Sequence, residues 1–262
     1  MKMSSDDKFF IQSINRALNI VETISKSSDR GLTLTAISEQ VGLHISTVYR
    51  ILQNLISWNY IKEDEDGRYT LGFALITLGN IAKDNITFQN VAHPYLIELG
   101  ELSKETIYLA ILDEMYYSVM YIDKIDNKRN IKLAAGIGTR NYVHSTANGK
   151  VLISDYSDEK IRNILTTTGM KANTPFTITD PEKFLNEIRQ VREQGYAIDN
   201  LENEPDVRCV AAPIYDYRKK IIGSVSISGI ASTITLEAIE DKYKTMVMET
   251  TEKISKELGF RK

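Results

Sequence analysis

Between positions 46 and 53 the chain gathers Ser46, Thr47, Tyr49, Arg50 and Gln53. A guanidinium pairs bidentately with guanine, an amide with adenine, and hydroxyls hold phosphate oxygens or base edges, so this set suits a DNA major groove. Val48, Ile51, Leu52, Leu55 and Ile56 are threaded through the same stretch at a 3.6-residue period. The segment is therefore expected to be a helix with one apolar face in a core. Its N-terminal part, with Ser46, Thr47 and Arg50, should lie nearest the bases. Arg68 is a candidate for a neighbouring phosphate, and Arg16 or Gln12 for another.

A second group of reactive or polar side chains falls in the C-terminal half. Ser226 and Ser228 are two apart in a strand-like run, so both hydroxyls face one side. Cys209 belongs to a neighbouring strand-like run, and the helix start near Ala147 offers N–H groups to a carboxylate. Together these groups fit a small organic acid, a keto or hydroxy acid. Plainer roles compete: Cys209 as a small core residue, the serines as partners of nearby backbone, Asp199 as a loop cap.

Catalytic readings find little support. His44, His93 and His144 are scattered and one cysteine is too few for a zinc cage, so no metal site and no cofactor is expected. Gly149-Lys150 is followed by Val151 where a phosphate loop needs Ser or Thr. Gly136-x-Gly138 lacks the third glycine of a dinucleotide loop, position 141 being Asn. Nothing in the sequence brings Cys209 and His144 together as nucleophile and base.

The elements that must position these groups are legible in outline. A first helix is expected with Ile14, Ala17, Leu18, Val21 and Ile24 as its apolar stripe, ending in the breaker run at 25–31. A short helix capped by Thr35, a sharp turn at Gly42 and the 46–56 helix follow. Strands at 60–62 and 68–71 flank an Asp-Gly turn, and together these elements spell a winged helix-turn-helix. Residues 73–88 read as a connecting helix that also packs on a partner chain. Beyond Val91 helices and strands alternate. A helix through Leu96, Leu99 and Leu102 leads to strands near 106–112, 118–123, 131–134, 196–199, 207–214 and 221–227. Further helices are expected near 146–154, 158–165, 181–194 and 235–258. A short DYRKK turn joins the last two strands, so they are antiparallel and the fold class is α+β.

Length and composition agree with two domains: 262 residues, 42% hydrophobic and 26% charged. The formal charge is −3, which excludes a polycation that grips DNA by bulk charge. Residues 1–72 hold eight Lys/Arg against nine Asp/Glu, a net of −1, and four acids at 63–66 crowd the wing tip. Arg68 alone should therefore turn toward phosphate. A single cysteine excludes an internal disulfide and fits a reducing, cytoplasmic location. The longest uncharged run, 221–236, is too short and polar for a membrane span, and MKMSSDDK is no secretion signal.

QSINRALNIVETI at 12–24, TAISEQVGLHISTVYRILQNL at 35–55 and GRYTLG at 67–72 resemble the DNA-binding half of IclR-type transcriptional regulators. HSTANGKVLIS at 144–154, IRQVREQGYAIDN at 188–200, RCVAAPIYD at 208–216 and SVSISG at 224–229 resemble its second half. The resemblance runs from about Gln12 to Gly259. It implies a GAF-like effector-binding domain with a mainly antiparallel sheet behind the winged helix, and dimers that pair into tetramers on DNA. The domain boundaries expected are 1–72, a linker helix at 73–88, and 89–262.

Carried onto this chain, the resemblance implies an effector pocket built from Ile131 and Ala134, from Asn148 and Gly149 at a helix start, and from Asp199, Cys209, Ser226 and Ser228. Asn148 replaces a small apolar residue common in the family, which would add polarity suited to a sugar acid. The function expected is a regulator, more specifically a repressor of a catabolic operon. It would bind a two-fold operator in double-stranded DNA and respond to a small carboxylate. Two rivals stay open: a ligand-sensing module whose winged helix only dimerises, and a methyltransferase-like enzyme. The second would need a glycine-rich loop after a strand, and none is found.

Overall fold

The computed structural model describes residues 11–27, 30–84, 87–127 and 133–261. The chain divides into two compact units, Met1–Asn85 and Ile86–Lys262. The first contains α1 (Gln12–Ser25), β1 (Leu32–Thr33), α2 (Leu34–Val41), α3 (Ile45–Ser57), β2 (Ile61–Glu63), β3 (Arg68–Leu71) and α4 (Ala74–Asp84). Its three strands pair antiparallel in the order β1-β3-β2. Ile20, Ile24, Ile37, Val48, Leu52, Ile61 and Tyr69 form its core. Each such side chain contributes about 1.5–3 kcal/mol on leaving water.

Two details differ from expectation. The stripe assigned to α1 is half wrong: Ile20 is the fully buried residue, whereas Ile14 and Leu18 are 52% and 58% exposed. The cap of α2 is Thr33, whose hydroxyl accepts from the Ala36 amide, rather than Thr35. Of the connecting helix expected at 73–88, the described residues belong to α4, ending at Asp84, and to α5, beginning at Thr87, while 85 and 86 lie outside the described set. Gly42 makes the α2–α3 turn at φ +66°, a left-handed conformation that glycine adopts without steric cost.

The second unit opens with α5 (Thr87–Ser103), β4 (Thr106–Asp113), β5 (Ser118–Ile125) and β6 (Arg140–Tyr142). Three helices follow: α6 (Ala147–Leu152), α7 (Asp158–Thr168) and α8 (Pro181–Gln194). It closes with β7 (Ala197–Asn200), β8 (Val207–Tyr215), β9 (Ile221–Ile230), α9 (Leu236–Ala238), one π turn at Ile239–Tyr243 and α10 (Lys244–Glu257). The strands form one sheet, β6-β5-β4-β9-β8-β7, antiparallel at every pairing. Of the strand expected at 131–134, Ile131 and Lys132 lie outside the described residues. Leu133 and Ala134 are not in a strand, and the edge is instead β6. The helix expected through Leu96, Leu99 and Leu102 is α5, in which Leu96 and Leu99 are buried and Leu102 is 59% exposed.

The period of two along the central strands sorts the sheet into two faces. Ile107, Leu109, Val210, Ala212, Ile214, Val225 and Ile227 meet α5 and α10 in one core. Tyr108, Ala110 and Tyr121 point the other way, into a second core with Leu152, Ile161, Ile164, Phe184 and Ile188 of α6, α7 and α8. The hydroxyls of β9, Ser224, Ser226 and Ser228, have the parity of this second face. Among the described residues no helix is long and apolar enough to cross a membrane.

Candidate nucleic-acid interface and ligand cavity

In the first unit α3 is set by its cap. His44 Nδ1 lies 3.3 Å from the Ser46 amide, which donates to it, and 2.8 Å from Ser46 Oγ. Val48 and Leu52 bury one face, leaving Ser46, Tyr49, Arg50 and Gln53 exposed at i, i+3, i+4 and i+7. Thr47 is half-buried. Sequence reasoning overlooked His44, the cap, and Asn54, whose amide donates to the Arg50 carbonyl at 2.8 Å.

The wing is more occupied than expected. Arg68 is half-buried and its Nη1 donates to the Gly31 carbonyl at 3.3 Å, so part of its guanidinium holds the segment that leads into β1. The acids at the tip have local work. Glu63 Oε1 accepts from the Tyr69 hydroxyl at 3.0 Å, and Asp64 Oδ1 accepts the amides of Asp66 and Arg68. Burial, then Glu63, pushes the Tyr69 hydroxyl up to about 12. Gln12 is exposed at the first position of α1, and Arg16 is half-buried one turn later.

In the second unit strand register assembles four side chains that are far apart in sequence. Asp199 pairs with Cys209, Cys209 with Ser228, and Ser228 with Thr106. They form one row across β7, β8, β9 and β4. Asp199, Cys209 and Ser228 line a narrow cavity with Asn148, Tyr108, Tyr121, Leu133, Ala135, Thr146, Asn203, Glu204 and Val207. Thr106 Oγ1, at the end of the row, is buried with no hydrogen-bond partner among the described residues. The cavity holds only about 20 Å³, room for a water molecule or two. Its wall is tied down: Tyr108 donates to the Ala135 carbonyl at 3.0 Å, and Lys124 Nζ to the Leu133 carbonyl at 3.0 Å.

The eight expected pocket residues separate accordingly. Asn148, Asp199, Cys209 and Ser228 share the cavity. Ser226 stands behind it, accepting from Asn148 Nδ2 at 2.9 Å and 3.1 Å from Ser228 Oγ. Asn148 Oδ1 in turn accepts from Ser224 at 2.8 Å, so its added polarity serves the serine row. The Gly149 amide donates to the cap hydroxyl of Thr146. A Cβ at position 149 would lie 2.4 Å from Val143 Cα, so this residue is glycine because two backbone segments touch there. Ala134 is exposed, and its neighbours Leu133 and Ala135 form the apolar wall. Ile131 lies outside the described residues.

Charge in the cavity is unusual. Among its lining residues Asp199 and Glu204 are acidic and none is basic. Burial pushes Asp199 up to about 7, against the two amides of Glu202 and Asn203 that hydrogen-bond its Oδ1. Burial also pushes the Cys209 thiol well up, so it stays neutral. Behind the cavity Lys150 is fully buried, reaching Glu202 Oε1 at 2.6 Å, the Ile198 carbonyl at 2.8 Å and Glu187 Oε1 at 3.1 Å. Burial raises Glu202 as well, although Lys150 opposes the shift. No group of three or more His, Cys, Asp or Glu among the described residues is placed to hold a metal.

A winged helix-turn-helix unit, followed by a unit that wraps helices around an antiparallel sheet with a polar cavity, defines a DNA-binding regulator with a sensing domain. Residues 82–256 match the family model described as Bacterial transcriptional regulator IclR C-terminal, and residues 13–65 that described as IclR helix-turn-helix domain. The chain belongs to the IclR family of transcriptional regulators, which are regulators and not enzymes. It is 36% identical over 251 residues to the HTH-type transcriptional regulator KdgR of Escherichia coli (strain K12), covering 95% of this chain and 94% of that protein. It is 29% identical over 250 residues to the acetate operon repressor of Salmonella typhimurium, covering 95% and 90%. The crystal structure of Thermotoga maritima IclR is similar with a TM-score of 0.78 at 30% identity, covering 95% of this chain and 99% of that one.

Proposed function

We propose that this regulator is a cytoplasmic repressor of a catabolic operon, released or retained on its operator by a small keto or sugar acid held in the sheet cavity. The observation that carries the reading is the row Asp199–Cys209–Ser228–Thr106, four hydrogen-bonding side chains on a buried sheet face. An Asp199 carboxyl raised by burial to about 7, a neutral thiol and two hydroxyls suit the keto and hydroxyl groups of such an acid. The kinship to the acetate operon repressor supports the repressing sign. A ligand of this size needs more than about 20 Å³, so binding displaces the Leu133–Ala135 wall. It alters DNA affinity only by preferring one arrangement of the oligomer over another.

At the DNA, Ser46, Tyr49, Arg50 and Gln53 read the major groove, with Thr47 beside them and Gln12, Arg16 and Arg68 toward the backbone. Ile14 and Leu18 of α1, with Phe73 and Ile76 at α4, leave apolar side chains exposed on the first unit. They fit a second copy of the chain, as a dimer on a two-fold operator requires. Fluorescence anisotropy with the DNA upstream of the protein's own gene tests the reading. Arg50→Ala should weaken specific binding by about 1–3 kcal/mol with an unchanged melting temperature. Unaltered specific binding would remove α3 from the interface. A thermal-shift panel of keto and sugar acids tests the ligand class, and no response from any of them would overturn it.

A further inference from the structure

The sheet cavity is not the roomiest recess of the second unit. A separate cleft of about 600 Å³ opens beside it, between the start of β5, β6, the end of α7 and the 171–173 segment. That volume falls in the range of pockets that enclose whole small molecules. Its chemistry also differs from the cavity's. Tyr116, Tyr117 and Tyr142 contribute rings, Asn141, Asn173 and Asn203 contribute amides, and Lys171 and Glu204 contribute charge beside an Arg140 that is paired with Asp113.

Several of these groups are held in place. Arg140 is fixed by Asp113 Oδ2 at 2.9 and 3.0 Å and lies 5.3 Å over the Tyr116 ring. The buried ring of His144 bonds the Lys171 carbonyl through Nε2 at 3.0 Å, seating that residue at the rim. Among the described residues Lys171 makes no ion pair, so its ammonium is available to an anion. Ser118 Oγ is buried, lines the cleft, and has no hydrogen-bond partner among the described residues.

We propose that this cleft is a second ligand site, distinct from the sheet cavity, for a ring-bearing organic acid. Its ring lies against the tyrosine faces, its carboxylate meets Lys171 and Arg140, and its hydroxyls meet Ser118 and the asparagine amides. Asn203 and Glu204 line both spaces, and Asn203 Oδ1 accepts from Ser145 at 3.0 Å and Asn173 at 3.4 Å. The two sites therefore adjoin, and a test must tell them apart.

Isothermal titration of the full chain with D-glucuronate and, separately, 4-hydroxybenzoate makes the distinction, one probe being a sugar acid and the other an aromatic acid. Expected is binding of at least one probe at one per chain, weakened at least about tenfold by Lys171→Ala and by Tyr142→Ala. Lys171 is exposed and Tyr142 lies on the edge strand β6, and an unchanged melting temperature of each variant verifies folding. Ser228→Ala should leave this binding within about twofold of wild type. Three results would overturn the site: no binding of either probe up to about 10 mM, wild-type affinity in both cleft variants, or binding abolished by Ser228→Ala. The last would return the ligand to the sheet cavity. Wild-type affinity in both cleft variants would remove this site alone, because those variants leave Ser228 and Asp199 intact, whereas the effector reading is decided by its own panel of acids.

Discussion

Lys150 Nζ lies 2.6 Å from Glu202 Oε1, with the lysine wholly buried and the glutamate nearly so. The pair pins the loop after β7 to α6 and so fixes one wall of the cavity. Removing one member strands the other's charge away from water, at a cost of about 3–5 kcal/mol. Lys150→Met should show that loss in chemical denaturation. Glu202→Gln should cost less, since Glu187 and the Ile198 carbonyl still receive the ammonium. Equal losses in the two variants would contradict this division.

Gly149 is predicted to tolerate no side chain. Even Gly149→Ala places a carbon 2.4 Å from both Val143 Cα and its carbonyl oxygen, and backbone cannot rotate aside as a side chain can. A destabilisation of about 3 kcal/mol or more is expected, measured by thermal unfolding, or absence of soluble protein. Gly79→Ala, with nothing within 4 Å, is the control and should be neutral or slightly stabilising.

Asp199 makes stability depend on pH. Its native carboxyl titrates at about 7, whereas an unfolded aspartate does so at about 3.9. Between those values the native state keeps a proton that the unfolded chain has released. The stabilisation is complete below about pH 4 and disappears as pH rises through 7. Glu202, also raised by burial, adds a contribution of the same sign. Denaturation midpoints measured from pH 5 to 8 should fall for the wild type and fall less for Asp199→Asn. Parallel slopes would show that Asp199 is not the group responsible.

Tyr108 should control access to the sheet cavity. Tyr108→Phe removes the hydroxyl bonded to the Ala135 carbonyl and frees that wall at a cost of about 1 kcal/mol. Faster association of whichever acid binds the cavity is expected in stopped-flow fluorescence. An unchanged rate would mean that the wall moves without breaking this bond.

The helix-turn-helix was legible because α3 has one apolar face and one polar face. α1 was harder: Ile14, Ala17 and Leu18 continue the same period as Val21 and Ile24, and periodicity cannot tell a core face from one left exposed. The cavity shows a similar limit. Ser226 and Ser228 could be placed on one strand face, but the meeting of Ser228 with Cys209, Asp199 and Thr106 depends on register across four strands. Ala134 was wrong by one residue, enough to turn a side chain from wall to solvent. Lys150 entered the sequence reading only through the rejected phosphate loop, and its burial is explained by a loop returning some fifty residues later.

The alternating faces of β4, β8 and β9 divide heredity as well as space. Residues of one parity pack against α5 and α10, while those of the other are shared between the second core and the lining of the cavity. Under the proposed effector reading, substitutions at positions such as 209 and 228 would change what is sensed while leaving the packing against α5 and α10 in place. A lineage of such proteins can thus acquire new chemical tastes while its scaffold drifts little, each strand carrying a conservative and an experimental half on alternate residues.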